Sequence, residues 1–391
     1  MPQAISTVQN LRHSNRALLL ELLRQQSSTR VELAQKTGLA KSAVTTIVNE
    51  LIQEGLVQEQ SAAFEARAGR PAIMLEIRPR KKFAIGLILN RSSTLLCAVD
   101  LQNHILHQTQ VSTSSFRTTR ECTGWIFQTV DGWFSQPETP KEDCIGFSIG
   151  AAGPVDRKRG IIKNPPAFDR FHNYPIVELV KARYELPVTF ENVAVLFAQA
   201  EYLNGPMQNY HNTLFLFWVE NGVGSVLLND GQPYSGLGGY AGEIGHTCVN
   251  PNGIACACGN IGCLEAYLKK ETVEARFGTC NFRTIMDGAT LGDPDATEIV
   301  DYFVRYIGIA LSNAVNLFDP DSICLYLPEN YKPTLFLERL SQYIHQHAVV
   351  CKSHRVDLFC ASVAYTSPSS AAIAPMLTAF IQNGGRMLPV R

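Results

Sequence analysis

The sequence GLGGYAGEIGHTCVNPNGIACACGNIGCLE, residues 236–265, holds the densest chemistry of the chain. One imidazole is followed by three thiols, contributed by His246, Cys256, Cys258 and Cys263. An imidazole and three thiolates are a full tetrahedral ligand set for a structural zinc ion. Glycines among the cysteines let the backbone curl tightly around the thiolates, so that amide N–H groups are free to donate hydrogen bonds to sulfur. We therefore predict a zinc site in this stretch.

The spacing of these cysteines leaves two alternatives open. The pattern C-x-C-x4-C differs from the common C-x2-C knuckle, and a redox cluster or chance clustering would also bring thiols together. The chain has eleven cysteines, an odd number. Six of them occur singly in apolar runs, where a buried reduced thiol is the ordinary interpretation: Cys97, Cys122, Cys144, Cys324, Cys351 and Cys360. In a cytoplasmic chain the clustered set favours zinc.

Outward from this stretch, strands alternate with helices. Aliphatic or β-branched runs of strand length occur at Phe83–Leu89, Thr94–Asp100, Ile145–Gly150, Pro187–Phe190, Leu214–Val219 and Ser225–Leu228. From residue 331 the pattern predicts a helix, a strand and a final helix. Such alternation predicts two comparable α/β lobes with a cleft between them. We place the lobes at residues 81–195 and 196–391, and the C-terminal helix is free to return to the first lobe.

Residues 1–80 follow a different pattern. Apolar positions at helical spacing fill residues 16–27, and Ser28 or Thr29 then predicts the cap of a short helix that ends at Gly38. A third periodic segment runs from residue 42 to 55, after which residues 57–59 and 71–77 have the character of two hairpin strands. Helix, short helix, glycine turn, helix and hairpin together predict a winged helix-turn-helix domain.

The polar residues of this domain suit DNA. On the third helix and in the wing, short polar or basic side chains face away from the predicted core: Lys41, Ser42, Thr45, Thr46, Asn49, Arg67 and Arg70. Such groups bind base edges and phosphates in a major groove, and a wing arginine can lie along a minor groove. Residues 1–80 carry ten Lys and Arg against seven Asp and Glu, whereas the remainder has 24 against 28. The alternative is a helical dimerisation or protein-docking domain with a solvated polar face.

The composition excludes several classes of protein. A chain of 391 residues with 46% hydrophobic and 18% charged residues forms real cores, unlike a disordered, collagenous or disulfide-stapled protein. We find no apolar run of about 18 residues, which a membrane-spanning helix needs, and no apolar core of a secretory signal near the N-terminus. We therefore expect a cytoplasmic protein without a membrane partner.

The combined motifs resemble the ROK family of repressors, open reading frames and sugar kinases. Gly242–His246 followed by Cys256–Glu265 is similar to that family's signature. Gly150–Val155 resembles its glycine-proline turn, Pro187–Asn192 its sugar-site strand, and Leu311–Pro320 its late helix-to-strand element. These matches cover nearly the whole chain. A winged helix head fused to such a body is the layout of the family's transcriptional repressors, including those that respond to xylose and N-acetylglucosamine.

The resemblance implies an actin-like, hexokinase-like pair of lobes with a sugar in the cleft. It implies sugar or sugar-phosphate effector contacts at Asn192, Glu243, His246 and Glu265, whose amide, carboxylates and imidazole suit ring hydroxyls. His246 would bind zinc through one ring nitrogen and offer the other to the ligand. The alternative for Glu265 is an ion pair at a helix start. The family layout also implies a homodimer or a dimer of dimers on a near-palindromic operator.

Compared with kinases of the family, three features of phosphoryl transfer are replaced. The kinase loop Asp-x-Gly-Gly-Thr corresponds to Asn90-Arg91-Ser92, without an acid or a glycine pair at its start. Val193 stands where kinases carry the aspartate base, and Tyr326–Pro328 replaces the glycines beside the nucleotide. We therefore expect no catalytic residues and no kinase activity. Ala167 stands where relatives carry a sugar-contacting asparagine, which together with Val193 weakens the expected sugar site.

Three hypotheses follow. The first is a transcriptional regulator, a repressor of carbohydrate-utilisation genes, released from DNA by a sugar or sugar phosphate. The second is a DNA-binding regulator whose body has lost sugar sensing and docks a protein partner, which the changes at Val193 and Ala167 motivate. The third is an active sugar kinase with an accessory DNA-binding head.

Overall fold

The structure is a computed structural model of the chain, and it describes residues 8–61, 73–163, 168–219, 222–362 and 367–390. The chain divides into two compact units. Unit 1 consists of Met1–Leu196 and Pro368–Arg391, and unit 2 of Phe197–Ser367. Within the described ranges, no helix combines the length and the apolar character needed to cross a bilayer.

Unit 1 begins with a winged helix-turn-helix head, which confirms the prediction. Its elements are α1 (Val8–Gln25), α2 (Arg30–Thr37), α3 (Lys41–Gln53), β1 (Val57–Ser61) and β2 (Ile73–Ile77). The two strands form an antiparallel hairpin, and Ser28 bridges to Leu75 of β2. The predicted wing arginines Arg67 and Arg70 lie outside the described residues, as do residues 71 and 72 of the predicted second strand.

Local sequence explains the head. The Thr29 side chain accepts a hydrogen bond from the Glu32 N–H, and the Glu32 side chain accepts one from the Thr29 N–H, so a capping box starts α2. Gly38 ends α2 with φ of 70°, a left-handed conformation that costs glycine little. The apolar face of α3 is buried in the head. The predicted cap and turn are therefore both confirmed.

The rest of unit 1 is an α/β lobe. Its elements are β3 (Phe83–Leu89), β4 (Ser93–Asp100), β5 (Ile105–Ser112), α4 (Thr119–Phe134), β6 (Cys144–Ala151), β7 (Val155–Asp156), β8 (Ile161–Ile162), α5 (Ile176–Tyr184), β9 (Val188–Asn192) and the start of α6 (Val193–Asn204). The strand order of the main sheet is β5-β4-β3-β6-β9. The strands β5, β4 and β3 pair antiparallel, and β3, β6 and β9 pair parallel.

Unit 2 repeats this arrangement. After α6 it contains β10 (Asn212–Val219), β11 (Gly222–Asn229), β12 (Gln232–Pro233), α7 (Leu264–Leu268), α8 (Lys270–Phe277), α9 (Phe282–Thr290), α10 (Pro294–Phe318), β13 (Ser322–Tyr326), α11 (Thr334–His347) and β14 (Asp357–Cys360). Its sheet has the order β12-β11-β10-β13-β14, again antiparallel on one side and parallel on the other. The two predicted α/β lobes are thus confirmed, each with its own apolar core.

The last helix, α12 (Pro368–Gln382), belongs to unit 1 and packs on β3, β4 and β6. The residues that follow α12 also contact the head. Arg16 of α1 is 1% exposed, and its Nε donates a hydrogen bond to the carbonyl oxygen of Gly384. The same guanidinium forms ion pairs with Glu54 and, at 3.6 Å, with Glu50 of α3. The buried arginine therefore joins two helices of the head to the end of the chain.

We expect Arg16→Ala to lower the free energy of unfolding by about 2–4 kcal/mol, because it leaves two carboxylates and a carbonyl without their buried partner. Arg12→Ala is the matched control: Arg12 also pairs with Glu50, but its side chain is 57% exposed, so its loss costs about 0–1 kcal/mol. Urea unfolding of both full-length variants measures the difference. Equal effects of the two substitutions would contradict the proposed role of Arg16.

A second buried charge lies in unit 2. Glu201 of α6 is fully buried, and its Oε2 accepts a hydrogen bond from the Ser362 N–H at 2.8 Å. Its Oε1 has no hydrogen-bond partner among the described residues. Burial raises the pKa of Glu201 from 4.5 to about 7, against the smaller opposing effects of the Ser362 N–H and the charge of Lys332. The folded chain therefore retains a proton at Glu201 at pH values where the unfolded chain has lost it.

Because the folded pKa is the higher one, Glu201 lowers the free energy of unfolding as pH rises from about 4.5 to about 7. Glu201→Gln imitates the protonated form and is expected to raise the free energy of unfolding at pH 8 by about 2–3 kcal/mol, with little effect at pH 5. Chemical unfolding at both pH values measures this. The exposed Glu298→Gln controls for the loss of a charge, and a destabilised Glu201→Gln at pH 8 would contradict the assignment.

Candidate metal centre, effector residues and DNA-binding surface

The structure brings the four predicted metal ligands together. The ligand atoms of His246, Cys256, Cys258 and Cys263 all lie within 4.8 Å of one another. His246 Nδ1 is 3.7 Å from Cys256 Sγ, and Cys258 Sγ is 3.7 Å from Cys263 Sγ. In a tetrahedral site with zinc–sulfur bonds of about 2.3 Å, neighbouring sulfurs are separated by roughly 3.8 Å. The cluster has the size and the donor set that zinc requires.

Glycine shapes the loop that carries these ligands. Gly262 has φ of 75°, and a Cβ on it would lie 1.7 Å from the Asn250 carbonyl oxygen. The Gly262 N–H donates to the Ile254 carbonyl oxygen at 2.7 Å, and the Cys256 N–H donates to the Asn260 carbonyl oxygen at 2.8 Å. No side chain larger than hydrogen fits at Gly262 without moving the backbone. The tight loop predicted from the glycines is therefore present.

The protonation of the thiols follows from their surroundings. A backbone hydrogen bond at Asn260 lowers the pKa of the exposed Cys258 thiol, with smaller effects of the same sign from Cys256 and Cys263. Burial raises the pKa of Cys263 to about 12 when no cation balances its charge. A metal ion binds thiolates, so its binding would release protons from the cluster. The donor set thus fits a soft or borderline cation and couples its affinity to pH.

Three of the predicted effector residues lie in unit 2, around this loop. Glu243 precedes the short 3-10 helix Ile244–His246. His246 turns Nδ1 to the cysteines, an arrangement in which Nε2 is the ring nitrogen that remains for a ligand. Glu265, in the first turn of α7, accepts a hydrogen bond from the Val223 N–H at 3.3 Å and lies 3.9 Å from Lys269 Nζ. The ion pair considered for Glu265 is thus present as a long contact.

The fourth predicted effector residue, Asn192, is the last residue of β9 in unit 1. Its Oδ1 accepts a hydrogen bond from the Ala194 N–H at 3.0 Å. Its Nδ2 lies so close to Gly153 that a Cβ there would be 2.2 Å away. Burial raises the pKa of the neighbouring Glu191 to about 7, although Arg157 pairs with it at 2.7 Å and opposes the shift. Gly153 therefore makes room for the Asn192 amide. Glu191 was not singled out from the sequence, because the burial that raises its pKa is not visible there.

Two of the three segments predicted to differ from kinases, at Val193 and at Tyr326–Pro328, lie in apolar surroundings. Val193 begins α6 directly after Asn192 and is 5% exposed. The Tyr326 ring stacks on Phe217 with 5.0 Å between centroids and meets Phe197 edge-on at 4.9 Å. Leu327 is 1% exposed. An aromatic cluster thus fills the region beside the end of β13. Ala167 lies outside the described residues.

The head presents a polar surface on α3. Five predicted DNA contacts share its exposed face: Lys41, Ser42, Thr45, Thr46 and Asn49. The two threonine hydroxyls donate to the carbonyl oxygens one turn earlier, at 2.8 and 3.0 Å, so their oxygens remain available as acceptors. The surface has the short polar side chains that fit a major groove.

Sequence reasoning missed Arg30 at this surface. Its Nη2 donates to Asn49 Oδ1 at 3.1 Å, and its Nη1 pairs with Glu59 of β1 at 2.8 Å. The side chain therefore joins α2 to α3 and to the wing, and it orients the Asn49 amide so that its NH₂ group is the free end. A basic residue at the first position of α2 was the signal that could have drawn attention to it.

Family models match both parts of the chain. Residues 85–366 match the model of the ROK family, and residues 11–58 match a winged helix-turn-helix DNA-binding model. The transcriptional dual regulator NagC of Escherichia coli K12 is 27% identical over 336 residues, which is 82% of each chain. The xylose repressor of Bacillus subtilis 168 is 25% identical over 318 residues, covering 80% of this chain and 81% of the repressor.

Solved structures agree on the fold. A ROK family transcriptional regulator, a homologue of the Escherichia coli Mlc protein, superposes with a TM-score of 0.74 at 22% identity and covers 96% of this chain and 98% of its own. A ROK hexokinase from Thermus thermophilus superposes with a TM-score of 0.59 at 25% identity, over 75% of this chain and 97% of its own. The hexokinase likeness is confined to part of the chain, whereas the regulator also spans the head. The chain belongs to the ROK family and carries a winged helix-turn-helix head.

Proposed function

We propose that the chain is a transcriptional regulator that binds operator DNA and represses carbohydrate-utilisation genes until a sugar ligand binds its ROK body. The observation that carries the proposal is the exposed polar face of α3 on a winged helix-turn-helix head joined to that body. The names of the relatives agree, since they include NagC and xylose repressors. We expect a homodimer or a dimer of dimers, with heads about 34–36 Å apart on successive turns of DNA.

The ligand is proposed to contact Asn192, Glu243, His246 and Glu265, whose polar groups suit ring hydroxyls. Linkage then requires the ligand to bind the DNA-free form more tightly, by the same factor by which it weakens DNA binding. Kinase activity is not part of the proposal. The buried Val193 cannot accept a proton, and Tyr326 with its aromatic neighbours leaves no glycine turn for a nucleotide.

Zinc is proposed as the structural metal of His246, Cys256, Cys258 and Cys263. When bound, the ion would link His246, near the start of the loop, to the three cysteines near its end. His246 would be fixed through Nδ1, which sets the tautomer and leaves Nε2 for the ligand. Glu265 follows Cys263 by two residues and would be positioned with it. The metal would therefore act through the placement of the proposed effector residues His246 and Glu265.

We expect Cys258→Ser to lose bound zinc and to abolish the response of DNA binding to the ligand, because a hydroxyl is a poor substitute for a thiolate. The zinc content of the purified protein is measured by mass spectrometry. Cys248→Ser is the matched control, since Cys248 is an exposed cysteine of the same loop that is not among the clustered ligands. Full zinc content and a normal response in Cys258→Ser would defeat the assignment.

For the head, Asn49→Ala is expected to relax base preference at one operator position, with a loss of about 1–3 kcal/mol for the best sequence. Lys41→Ala is expected to weaken binding to all sequences alike and to reduce the salt dependence by about one charge. The exposed Lys141→Ala of the first lobe is the control. Fluorescence anisotropy with operator variants at several salt concentrations separates the outcomes. Unchanged DNA binding in both head variants would contradict the assigned surface.

The function as a whole is tested by enrichment of bound DNA from a genomic library at about 150 mM salt, where non-specific phosphate contacts are weakened. The selection is repeated with pools of sugars and sugar phosphates. A two-fold motif that is lost with one pool supports the proposal, and splitting that pool names the ligand. A motif indifferent to every pool favours a body that docks a protein partner, and the absence of any motif overturns DNA recognition.

A further inference from the structure

A cavity of about 400 Å³ lies in unit 1, beside the turn between β3 and β4. Six residues line it: Arg91, Thr113, Ser114, Phe168, Asp169 and Arg170. They come from three separate places in the sequence, the β3–β4 turn, the 3-10 turn after β5, and the segment before α5. Sites for small ligands typically measure about 300–1,000 Å³, so the cavity has the size for a monosaccharide derivative.

The register of the sheet places this cavity at a specific edge. Leu89, the last residue of β3, pairs with Ala151 of β6, and Ala151 pairs with Asn192 of β9. The carboxyl ends of the three parallel strands therefore meet at one edge, where ligands of open α/β sheets bind. Arg91 follows Leu89 by two residues, and Asn192 ends β9 two strands away, at about 10 Å by strand spacing. Asn192 lies outside the lining of the cavity, at the same edge of the sheet.

The walls of the cavity are held by hydrogen bonds. The Thr113 hydroxyl donates to the Asn90 carbonyl oxygen at 2.7 Å and lies 2.9 Å from the Thr94 hydroxyl. Arg170 Nη1 donates to the Phe116 carbonyl oxygen. The Arg91 N–H donates to Asn90 Oδ1 at 2.9 Å. The Arg170 guanidinium is thus anchored on a turn that borders the cavity, and the Asn90 side chain fixes the backbone at Arg91.

The lining combines three kinds of group. Two guanidinium groups and one carboxylate leave a net positive charge, and guanidinium groups pair well with phosphate oxygens. The hydroxyl of Ser114 adds a donor. Phe168 is 4% exposed and packs against Phe171 with 4.5 Å between ring centroids, so a small apolar part of its side chain borders the cavity. Asp169 is 89% exposed, lies 3.4 Å from His172 Nε2, and is an acceptor for hydroxyl groups.

We propose that this cavity binds the phosphate group of a phosphorylated sugar through Arg91 and Arg170. The sugar ring lies against Phe168, with hydroxyls towards Asp169 and Asn192. The proposal rests on the proposed function, because it names the chemical class of the ligand that the regulator senses. Arg91 and Arg170 are the residues that would make the site bind a sugar phosphate more tightly than the free sugar.

The test uses the full-length protein and isothermal titration with matched pairs: a hexose, an N-acetylhexosamine and a pentose, each with and without its terminal phosphate, plus inorganic phosphate and a hexuronate. At least one phosphorylated sugar is expected to bind ten-fold or more tightly than its free sugar. In the double variant Arg91→Gln, Arg170→Gln this affinity falls about ten- to a hundred-fold for each charged hydrogen bond lost, while binding of the free sugar is unchanged. The control is Arg159→Gln. Arg159 is exposed and does not line the cavity, so this substitution is expected to leave both affinities unchanged.

Four outcomes overturn the assignment: no phosphorylated sugar binds, the free sugar binds equally well, inorganic phosphate or hexuronate binds as tightly as the ester, or the double variant loses free and phosphorylated sugar alike. Operator release is measured separately. A phosphorylated sugar whose binding requires Arg91 and Arg170, but which does not release DNA, supports the assignment of the cavity and contradicts the proposed function. A free sugar that binds as tightly as its phosphate ester, and that releases DNA from the wild type and the double variant alike, supports the proposed function and overturns the assignment of the cavity.

Discussion

Parallel pairing of β3, β6 and β9 is the constraint from which the proposed ligand-binding edge of unit 1 follows. Hydrogen-bonded register places the ends of three strands at one edge, and the chain must leave the sheet there. Asn192, Val193 and Arg91 are all residues at or just beyond these ends. These residues lie at the same edge of the sheet because the strands are in register, although about a hundred residues separate Arg91 from Asn192 in sequence.

The same sheet order occurs in unit 2, and the consequences differ because the loops differ. After β12 the chain enters the glycine-rich loop that gathers one imidazole and three thiols within 4.8 Å. After β13 it meets Tyr326 and Leu327, which are packed in apolar surroundings. One scaffold thus carries a cluster of candidate metal ligands at one loop and an aromatic cluster at another. Function in such a fold is decided by loop residues, while the sheets supply their placement.

Buried charges connect elements that are distant in the chain. Arg16 joins α1 and α3 to the carbonyl of Gly384, so the DNA-binding head is packed on the end of the last helix of the same unit. A substitution near residue 384 would therefore act on the head, even though no residue there belongs to it. Arg30 plays a similar part on a smaller scale, between Asn49 and Glu59. Both arginines couple surfaces through hydrogen bonds with fixed geometry.

The sequence by itself determined the local features. The helix start at Ser28 or Thr29, the turn at Gly38, the strands from Phe83 onward and the four clustered ligands were predicted because periodicity, caps and short spacings are local properties. Tertiary structure alone decided which distant groups meet: the burial of Arg16 and Glu201, the contact of Gly153 with Asn192, and the cavity between Arg91 and Arg170. Those depend on strand register and on the return of α12 to unit 1, and no local pattern of residues encodes either.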